Sequence, residues 1–284
     1  MLETHRISKR LHTGSRMCAY AVGYGPHYRT QGILLRNSFK KFHPEIPLYI
    51  FDQDDERYLF GTVNNEEYIG IKRLRFGCRL LEDFEGILLL GTDVVVCATL
   101  DDLVCPPVRT DFVATLDIRR TSPLSVTGYR YANADVIAIF SKLAMSKWYQ
   151  NARDLTASFR LPPHSVNDWE QGVLNFLILP DNTFSVRFPE LDSPVYYNLR
   201  SRWFWQDAYL KDGFLYASNG RLIRSIHWNG SGGTLPGNKL RSSTWSKDVT
   251  EFFSAITSID VRQFTPTELP FTANDAMRDL GGNM

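Results

Sequence analysis

The segment GILLLGTDVVV, residues Gly86–Val96, is the part of the chain that decides the class of fold. Its apolar run Ile87–Leu90 predicts a buried strand, and Gly91–Thr92–Asp93 predicts a break before a short second strand. Open α/β sheets bind ligands outside the carboxyl ends of their strands, which is where Asp93 is expected to lie. A carboxylate there suits Mg²⁺ or Mn²⁺, although a plain turn aspartate between two strands has the same pattern.

The residues before this segment alternate between strand and helix patterns. Met17–Tyr24 and Ile46–Asp52 predict strands, whereas His27–Phe42 and Ile69–Asp83 have the apolar spacing of helices. Strand, helix, strand, helix, strand is the βαβ order of a parallel sheet with helices on both faces. The sequence therefore predicts an α/β fold with a mostly parallel, twisted sheet between helices.

The remaining chain predicts a single domain with an irregular second half. Further strands are expected at Asp111–Asp117, Asn133–Phe140, Ser185–Phe188, Phe214–Ala217 and Leu222–Trp228, and helices at Ser141–Leu155, Val166–Leu179 and Ser246–Ile256. The 284 residues are divided into a polar leader (1–16), one domain (17–260) and a polar tail (261–284). Within the domain, 17–118 is the expected nucleotide-binding half and 119–260 the acceptor-binding half.

Composition excludes several classes of protein. Lysine and arginine number 32 against 31 acidic residues, a net charge of +1, without the basic excess of a nucleic-acid-binding protein. The longest apolar stretches fall far short of the roughly 20 residues that span a membrane. The N-terminus shows no signal peptide, and the four cysteines form no CxxC. The reducing cytoplasm is the expected compartment.

Two glycine-rich segments are similar to nucleotide-binding motifs. GYGPHY, residues Gly23–Tyr28, stands between a strand and a helix as a GxGxxG motif does, but Tyr28 replaces the third glycine. The ribose-binding acid of such a site would be Asp52. An NAD(P)-dependent oxidoreductase with a Rossmann-like turn is therefore an alternative. GGTLPGNK, residues Gly232–Lys239, lacks the preceding strand of a P-loop and predicts only a loop.

Two further motifs contain candidate functional groups. His227 in SIHWNG ends a predicted strand, and an imidazole accompanies carboxylates in many Mn²⁺ sites. Glu170 and Gln171 in NDWEQGVLN open a predicted helix, where an acidic residue is also favoured by the helix dipole alone. Each motif by itself is weak.

The order of the motifs resembles a known family. ILLLGTD, NADV, EQGVLN and HWNG follow one another as D-x-D, N-[AS]-G-[VI], D-Q-x-x-L-N and H-x-x-G do in nucleotide-sugar glycosyltransferases of the GT-A fold. The resemblance is to the glycogenin and galactosyltransferase-like (family 8-like) group, and it covers Met17–Gly230. Four features depart from the pattern. Gly91 stands at the first acid of D-x-D, Asp135 at a glycine and Glu170 at an aspartate, and the lysine that follows H-x-x-G at a short distance is absent, since Lys239 is the nearest basic residue.

The resemblance implies a role for each candidate residue. It implies that Asp93 and His227 bind Mn²⁺ or Mg²⁺, and that Gln171, Glu170 and Asp135 serve catalysis. The donor would contact residues at strand ends and on the basic helix: Tyr20, Val22, Asp52, Lys72, Arg75, Thr92, Asp93 and Asn133. Gly91 leaves open whether metal binding is weakened, and Asp135 either compensates or binds sugar hydroxyls.

The implied function is metal-assisted transfer of a hexosyl group from a nucleotide-diphosphate sugar to a glycan or other hydroxyl acceptor. The resemblance favours a UDP-sugar over a GDP-sugar, and retention over inversion of the anomeric configuration. A GT-A protein that binds sugar nucleotides without turnover is a further alternative, and Gly91 is the residue that favours it.

Overall fold

A computed structural model describes residues 16–65, 67–108, 110–117, 130–159, 169–179, 183–199, 207–227 and 246–258. The strands are β1 (Met17–Val22), β2 (Leu48–Phe51), β3 (Gly86–Leu90), β4 (Val94–Val96), β5 (Phe112–Leu116), β6 (Ala132–Ile139), β7 (Val186–Arg187), β8 (Val195–Tyr196), β9 (Tyr209–Lys211), β10 (Phe214–Tyr216), β11 (Leu222–Ile223) and β12 (Ser225–His227). The helices are α1 (Pro26–Phe42), α2 (Gln53–Phe60), α3 (Ile69–Leu80), α4 (Asp101–Val104), α5 (Lys142–Phe159), α6 (Trp169–Leu177) and α7 (Lys247–Thr257), with a short 3₁₀ helix at Pro189–Leu191.

The central sheet has six strands in the order β2-β1-β3-β6-β5-β7. Its strands are parallel except β6, which runs antiparallel between β3 and β5. The prediction of a mostly parallel sheet between helices is confirmed. Every residue of β1 and β3 is buried, because helices cover both faces.

Alternate side chains of β3 enter two separate cores. Ile87 and Leu89 pack with residues of α3, α5 and α6 on one face of the sheet. Leu88 and Leu90 pack with residues of α1 and α4 on the other face. This alternation fixes the register of β3, because a slip by one residue would exchange the two faces.

Two smaller sheets follow the central one. A four-stranded sheet has the order β8-β11-β10-β9, and β12 pairs with β4 in a two-stranded antiparallel sheet. A third core, which includes Phe253 of α7, packs behind β12 and β4. The pairing of β12 with β4 places residues from late in the chain beside the carboxyl end of β3.

The structure corrects several sequence expectations. The single strand expected at Leu222–Trp228 is two strands, β11 and β12, separated at Arg224, and Trp228 lies outside the described residues. Helices α2 and α4 were not predicted. GYGPHY forms a strand-to-helix turn in which Gly25 has a φ of 90° directly before α1, a backbone conformation that favours glycine.

Other expectations fall outside the described residues. These are residues 1–15 of the polar leader, the loop containing Gly232–Lys239, and the whole of the polar tail (261–284). The division of the domain into halves stays a prediction. Among the helices that are described, none combines the length and apolar character required to cross a bilayer.

Candidate active site

Polar side chains from strands β6 and β12 lie close to the carboxyl end of β3. Because β6 runs antiparallel beside β3, Asp135 lies opposite Gly91, whose N–H donates to the Asp135 carbonyl oxygen at 2.7 Å. Strand β12 pairs with β4 in the register His227↔Val94, which places His227 beside Asp93. Sheet pairing therefore assembles Asp93, Asp135 and His227 from three distant parts of the chain.

The imidazole of His227 faces both carboxylates. Its Nε2 lies 3.2 Å from Asp93 Oδ1 and 3.7 Å from Asp135 Oδ2. The His227 side chain is 2% exposed, whereas the two aspartates are 17% and 20% exposed. The two carboxylates are thus partly exposed and lie on the solvent side of a buried imidazole.

Arg73 of α3 connects these three residues to Glu170 of α6, and the five side chains together form the carboxylate cluster. Its Nη1 donates to Asp135 Oδ1, and its Nη2 donates to Glu170 Oε1 at 2.8 Å. Burial lowers the pKa of Arg73, but the carboxylates of Asp135 and Glu170 outweigh it and hold that pKa above its usual range. The guanidinium is therefore a permanent positive charge that joins two carboxylates across the site.

Arg73 contacts the carboxylates of the candidate site, but the sequence interpretation chose Lys72 and Arg75 of the same helix instead. The available signal is the spacing of two glycines, Gly70 three residues before it and Gly77 four residues after it, which lie on the same helix face. A Cβ at Gly70 would lie 2.6 Å from Glu170 Cδ, and one at Gly77 would lie 2.4 Å from the Tyr20 hydroxyl. Small residues on this face let α3 approach the sheet and α6.

Gln171 is bound to the edges of β5 and β6. Its Oε1 accepts from the Ala134 N–H at 3.0 Å and from Asn133 Nδ2 at 3.4 Å. Its Nε2 donates to Asp117 Oδ2 at 2.8 Å. Asn133 is fully buried, and its Oδ1 accepts from the Asp135 N–H at 2.8 Å. Both ends of the Gln171 amide are thus engaged, and Asn133 fixes the backbone that carries Asp135.

Side-chain amides of α6 bind the backbone of β6 at and beside a break in the β5–β6 ladder. The register shifts between Ala114 and Thr115, which leaves Ala134 of β6, bound by Gln171, without a residue opposite it in β5, whereas Ala132 still pairs with Leu116. Asn175 accepts from the Ala132 N–H at 2.6 Å and donates to the Ala132 carbonyl at 2.9 Å. Gln171 and Asn175 are four residues apart and lie on one face of α6, so both reach the irregular strand.

Two of the predicted donor-binding residues lie in β1. Tyr20 is fully buried, and its hydroxyl donates to the Arg73 carbonyl at 3.0 Å. Burial raises the pKa of Tyr20 well above its usual range, so the phenol stays neutral. Val22 at the end of β1 is 8% exposed and belongs to the same core. Their contact with a nucleotide stays a prediction.

Asp52 and Thr92 occupy loop positions at strand ends. Asp52 caps α2, and its Oδ1 accepts from the Asp54 N–H at 2.8 Å and the Asp55 N–H at 3.2 Å. Thr92 is buried and donates to Gln31 Oε1 at 2.9 Å, which ties the end of β3 to α1. Both residues have structural partners, and their roles in donor binding stay predictions.

The two basic residues chosen from the sequence, Lys72 and Arg75, both contact Glu56 of α2. Lys72 Nζ donates to Glu56 Oε2 at 2.9 Å in a fully buried pair, and the Tyr24 hydroxyl donates to the same oxygen at 2.7 Å. Arg75 Nη1 lies 3.7 Å from Glu56 Oε1, and its guanidinium lies 3.9 Å from the centre of the Phe60 ring. Arg73, between them, is the one bound to the carboxylate cluster.

The cluster matches the donor chemistry of a divalent cation but is not a complete cage. The 3.2 Å between Asp93 Oδ1 and His227 Nε2 suits adjacent ligands of an ion with bonds of about 2.1 Å. Across the described ranges, no set of three or more His, Cys, Asp or Glu side chains is arranged to hold a metal by itself. Mg²⁺ is commonly held by one or two carboxylates together with substrate phosphates, and the residues present fit that mode.

Comparisons with known proteins place this geometry in a known fold. No family model and no curated protein matches the chain. Among solved structures, the galactosyltransferase LgtC in complex with donor and acceptor sugar analogues is 16% identical with a TM-score of 0.53, covering 85% of this chain and 95% of LgtC. The bifunctional glycosyltransferase WbbM is 16% identical with a TM-score of 0.54, covering 90% of this chain and 51% of WbbM. An active-site mutant of LgtC in which glutamine is replaced by glutamate is similar at 15% identity and a TM-score of 0.54, covering 85% of this chain and 95% of that one.

The chain therefore has the GT-A fold, with structural neighbours that are glycosyltransferases of the kind that the motif order resembles. At these identities the likeness establishes the fold alone. Nothing in the comparisons supports a nicotinamide-dependent oxidoreductase.

Proposed function

We propose that this protein is a glycosyltransferase that moves a hexosyl group from a nucleoside-diphosphate sugar to a hydroxyl acceptor with the help of Mn²⁺ or Mg²⁺. The observation that carries the proposal is the convergence of Asp93, His227 and the Arg73–Glu170 pair at the carboxyl end of β3. This is the edge at which an open α/β sheet binds ligands.

The charge of the cluster supports a role for a cation. Asp93, Asp135 and Glu170 carry three negative charges and Arg73 one positive charge, so the cluster has a net charge of −2 when His227 is neutral. Two like charges about 4 Å apart near a protein surface repel by about 4 kcal/mol. A diphosphate brought to this cluster would be repelled unless a cation accompanied it.

Asp93 and His227 are the residues that we assign to that cation. When bound, a divalent ion would stabilise the negative charge that develops on the leaving diphosphate. Asp93 contributes a hard carboxylate oxygen and His227 an imidazole nitrogen that its burial holds in place. We propose a UDP-sugar as the donor, following the family resemblance.

Glu170 and Gln171 are assigned to the donor sugar. Glu170 is 6% exposed and its Oε1 accepts from Arg73, so we propose that it acts on the donor sugar by holding Arg73 in place. Gln171 has its amide nitrogen bound to Asp117 and its oxygen bound to Ala134, so it positions the site rather than attacking the sugar. The glutamine replaced in the LgtC active-site mutant supports a place for such a residue in the reaction.

The reaction exchanges one bond at the anomeric carbon for another. The bond from that carbon to the diphosphate oxygen breaks, a bond to the acceptor oxygen forms, and the acceptor proton leaves with the nucleoside diphosphate. We propose that the anomeric configuration is retained, as the resemblance implies. The four cysteines are free thiols, which supports the proposed cytoplasmic location.

A thermal-shift screen tests the proposal. The protein is incubated with UDP-glucose, UDP-galactose, GDP-mannose or NAD⁺, each with Mn²⁺ and with EDTA. We expect stabilisation by a UDP-sugar that requires Mn²⁺, because ligand binding to the native state raises the melting temperature. Stabilisation by NAD⁺ alone, or equal stabilisation in EDTA, would contradict it.

A protein that binds the donor without turnover is the second candidate, favoured by the missing acid at Gly91. Incubation with the stabilising donor, followed by chromatography of free UDP, distinguishes the two. Release of UDP that increases with added hydroxyl acceptor supports a transferase, whereas binding without release supports the second candidate.

A further inference from the structure

Gly91 and Asp135 face each other across two neighbouring strands. Leu90 pairs with Val136 in the antiparallel ladder of β3 and β6, and the Gly91 N–H donates to the Asp135 carbonyl at 2.7 Å. Side chains of opposed residues in such a ladder project from the same face of the sheet. A side chain at either position would therefore enter the same part of the site.

The space around Gly91 admits only one of these two side chains without adjustment. A Cβ at Gly91 would lie 3.3 Å from Asp135 Cβ and 2.7 Å from Asp93 Oδ1. The φ of Gly91 lies outside the left-handed region, so crowding rather than backbone strain restricts the position. The chain has glycine at one position and an aspartate at the other.

The Asp135 carboxylate is directed toward the same imidazole as Asp93. One oxygen, Oδ1, accepts from Arg73, and the other, Oδ2, lies 3.7 Å from His227 Nε2. Arg73 therefore fixes the rotation of the carboxylate so that its second oxygen faces His227. The Asp135 side chain is 20% exposed, so an ion from solvent can approach this carboxylate.

We propose that Asp135 is a third protein ligand of the divalent cation, and that β6 thereby supplies the carboxylate that Gly91 cannot supply from β3. The inference rests on the proposed function, because it concerns the same cation as Asp93 and His227. The described side chains do not form a complete metal cage by themselves. The three donors, two carboxylate oxygens and one imidazole nitrogen, would therefore hold Mn²⁺ or Mg²⁺ together with diphosphate oxygens that complete the coordination.

The geometry makes a specific exchange possible. If side chains at positions 91 and 135 reach the same point, the double variant Gly91→Asp/Asp135→Gly should place a carboxylate there from the end of β3 instead of from β6. The Asp93 side chain would have to rotate slightly, since Asp93 Oδ1 is the atom nearest to the new Cβ. The matched control is Gly91→Ala/Asp135→Gly, which has the same added Cβ without the carboxylate.

The test measures Mn²⁺ binding by the loss of the free-ion electron paramagnetic resonance signal, with and without UDP. Loss of a metal's outer-sphere partner typically costs 10–100-fold in affinity, so Asp135→Asn, which replaces a charged carboxylate ligand by a neutral amide, should weaken binding by at least about tenfold. The exchange variant should restore affinity to within about threefold of the native protein, and the alanine control should not.

The outcomes separate this inference from the proposed function. If Asp93→Asn and His227→Ala lose Mn²⁺ while Asp135→Asn binds it as the native protein does, Asp135 is not a ligand and the proposed cation site stands. If the native protein shows no Mn²⁺ binding even with UDP, the proposed cation is wrong and this inference falls with it. If Asp135→Asn does not fold, failure of the exchange variant to bind better than its alanine control overturns the inference.

Discussion

Replacing Arg73 by methionine should strongly destabilise the protein while leaving the fold of its neighbours intact. The side chain is 12% exposed and is the partner of both Asp135 and Glu170. Methionine fills much of the same space but leaves two carboxylates without their cation. The variant therefore measures what the guanidinium contributes electrostatically.

The expected loss in the free energy of unfolding follows from the burial of the ion pairs that Arg73 forms with Asp135 and Glu170. Removing one partner of a buried ion pair typically costs about 3–5 kcal/mol, and Arg73→Met removes the partner of two carboxylates, so the upper end of that range is expected. The control is Arg79→Met on the same helix, whose ion pairs with Glu82 and Asp83 are more exposed and should be worth at most about 1 kcal/mol.

Urea unfolding followed by tryptophan fluorescence supplies the free energies of unfolding. The pH dependence adds a second criterion. Without Arg73, the partly buried carboxylates should have raised pKa values and become protonated as the pH falls. The stability deficit of Arg73→Met should therefore shrink between pH 7.5 and 5. A deficit that equals that of Arg79→Met, or one that is the same at both pH values, would refute this account of the cluster.

Three further predictions concern the site and its supports. Glu170→Gln and Gln171→Ala should each lower kcat on the order of 10²-fold while leaving the Kd for UDP nearly unchanged, and a weaker Kd with normal kcat would contradict the assignment to the sugar. Gly70→Ala should displace Glu170, since the new Cβ would lie 2.6 Å from its Cδ. We expect a clear loss of kcat with only a small decrease in the melting temperature. Burial raises the pKa of Glu190 to about 7 despite hydrogen bonds from backbone N–H groups, so the native state takes up a proton that the unfolded chain does not between about pH 7 and 4.5. The stability of the native protein relative to Glu190→Gln should therefore rise on the order of 2–3 kcal/mol as the pH falls through that window, and a flat difference would contradict the shift.

The central fold was predictable because its strands are short apolar runs between helical patterns. Helix α2 was also within reach of the sequence, because Asp52 and Asp55 form a capping box in which each side chain binds the other's backbone N–H. Asp93 made the carboxyl end of β3 a candidate site, although a plain turn aspartate has the same sequence pattern. Its partner His227 required the order of motifs, since only the pairing of β12 with β4 brings the two together.

Arg73 was missed because three basic residues stand close together on α3. Sequence periodicity does not tell which of Lys72, Arg73 and Arg75 faces the carboxylates, since that depends on the rotation of the helix against the sheet. Packing decides it: Gly70 and Gly77 allow the Arg73 face to approach, while Glu56 binds the other two side chains. Glu56 lies on α2, a helix that the sequence interpretation did not include.

The bulge in β6 was equally beyond the sequence. Gln171 and Asn175 lie four residues apart in EQGVLN, which places them on one helix face, but nothing in the sequence shows that the facing strand has unpaired backbone groups. The hydrogen bond of Gln171 to Ala134 depends on the register shift between β5 and β6, which leaves Ala134 without a residue opposite it in β5. Such long-range irregularities arise from the pairing of strands rather than from local preference.

Metal-dependent sugar transfer is tested most directly by the release of UDP from a UDP-sugar, followed by ³¹P nuclear magnetic resonance in Mn²⁺ and in EDTA, for the native protein, Asp93→Asn and His227→Ala. We expect release by the native protein in Mn²⁺, none in EDTA, and a loss on the order of 10²-fold or more in both variants, because electrostatic stabilisation of the leaving group is removed. Equal release in EDTA, or variants as fast as the native protein, would contradict it.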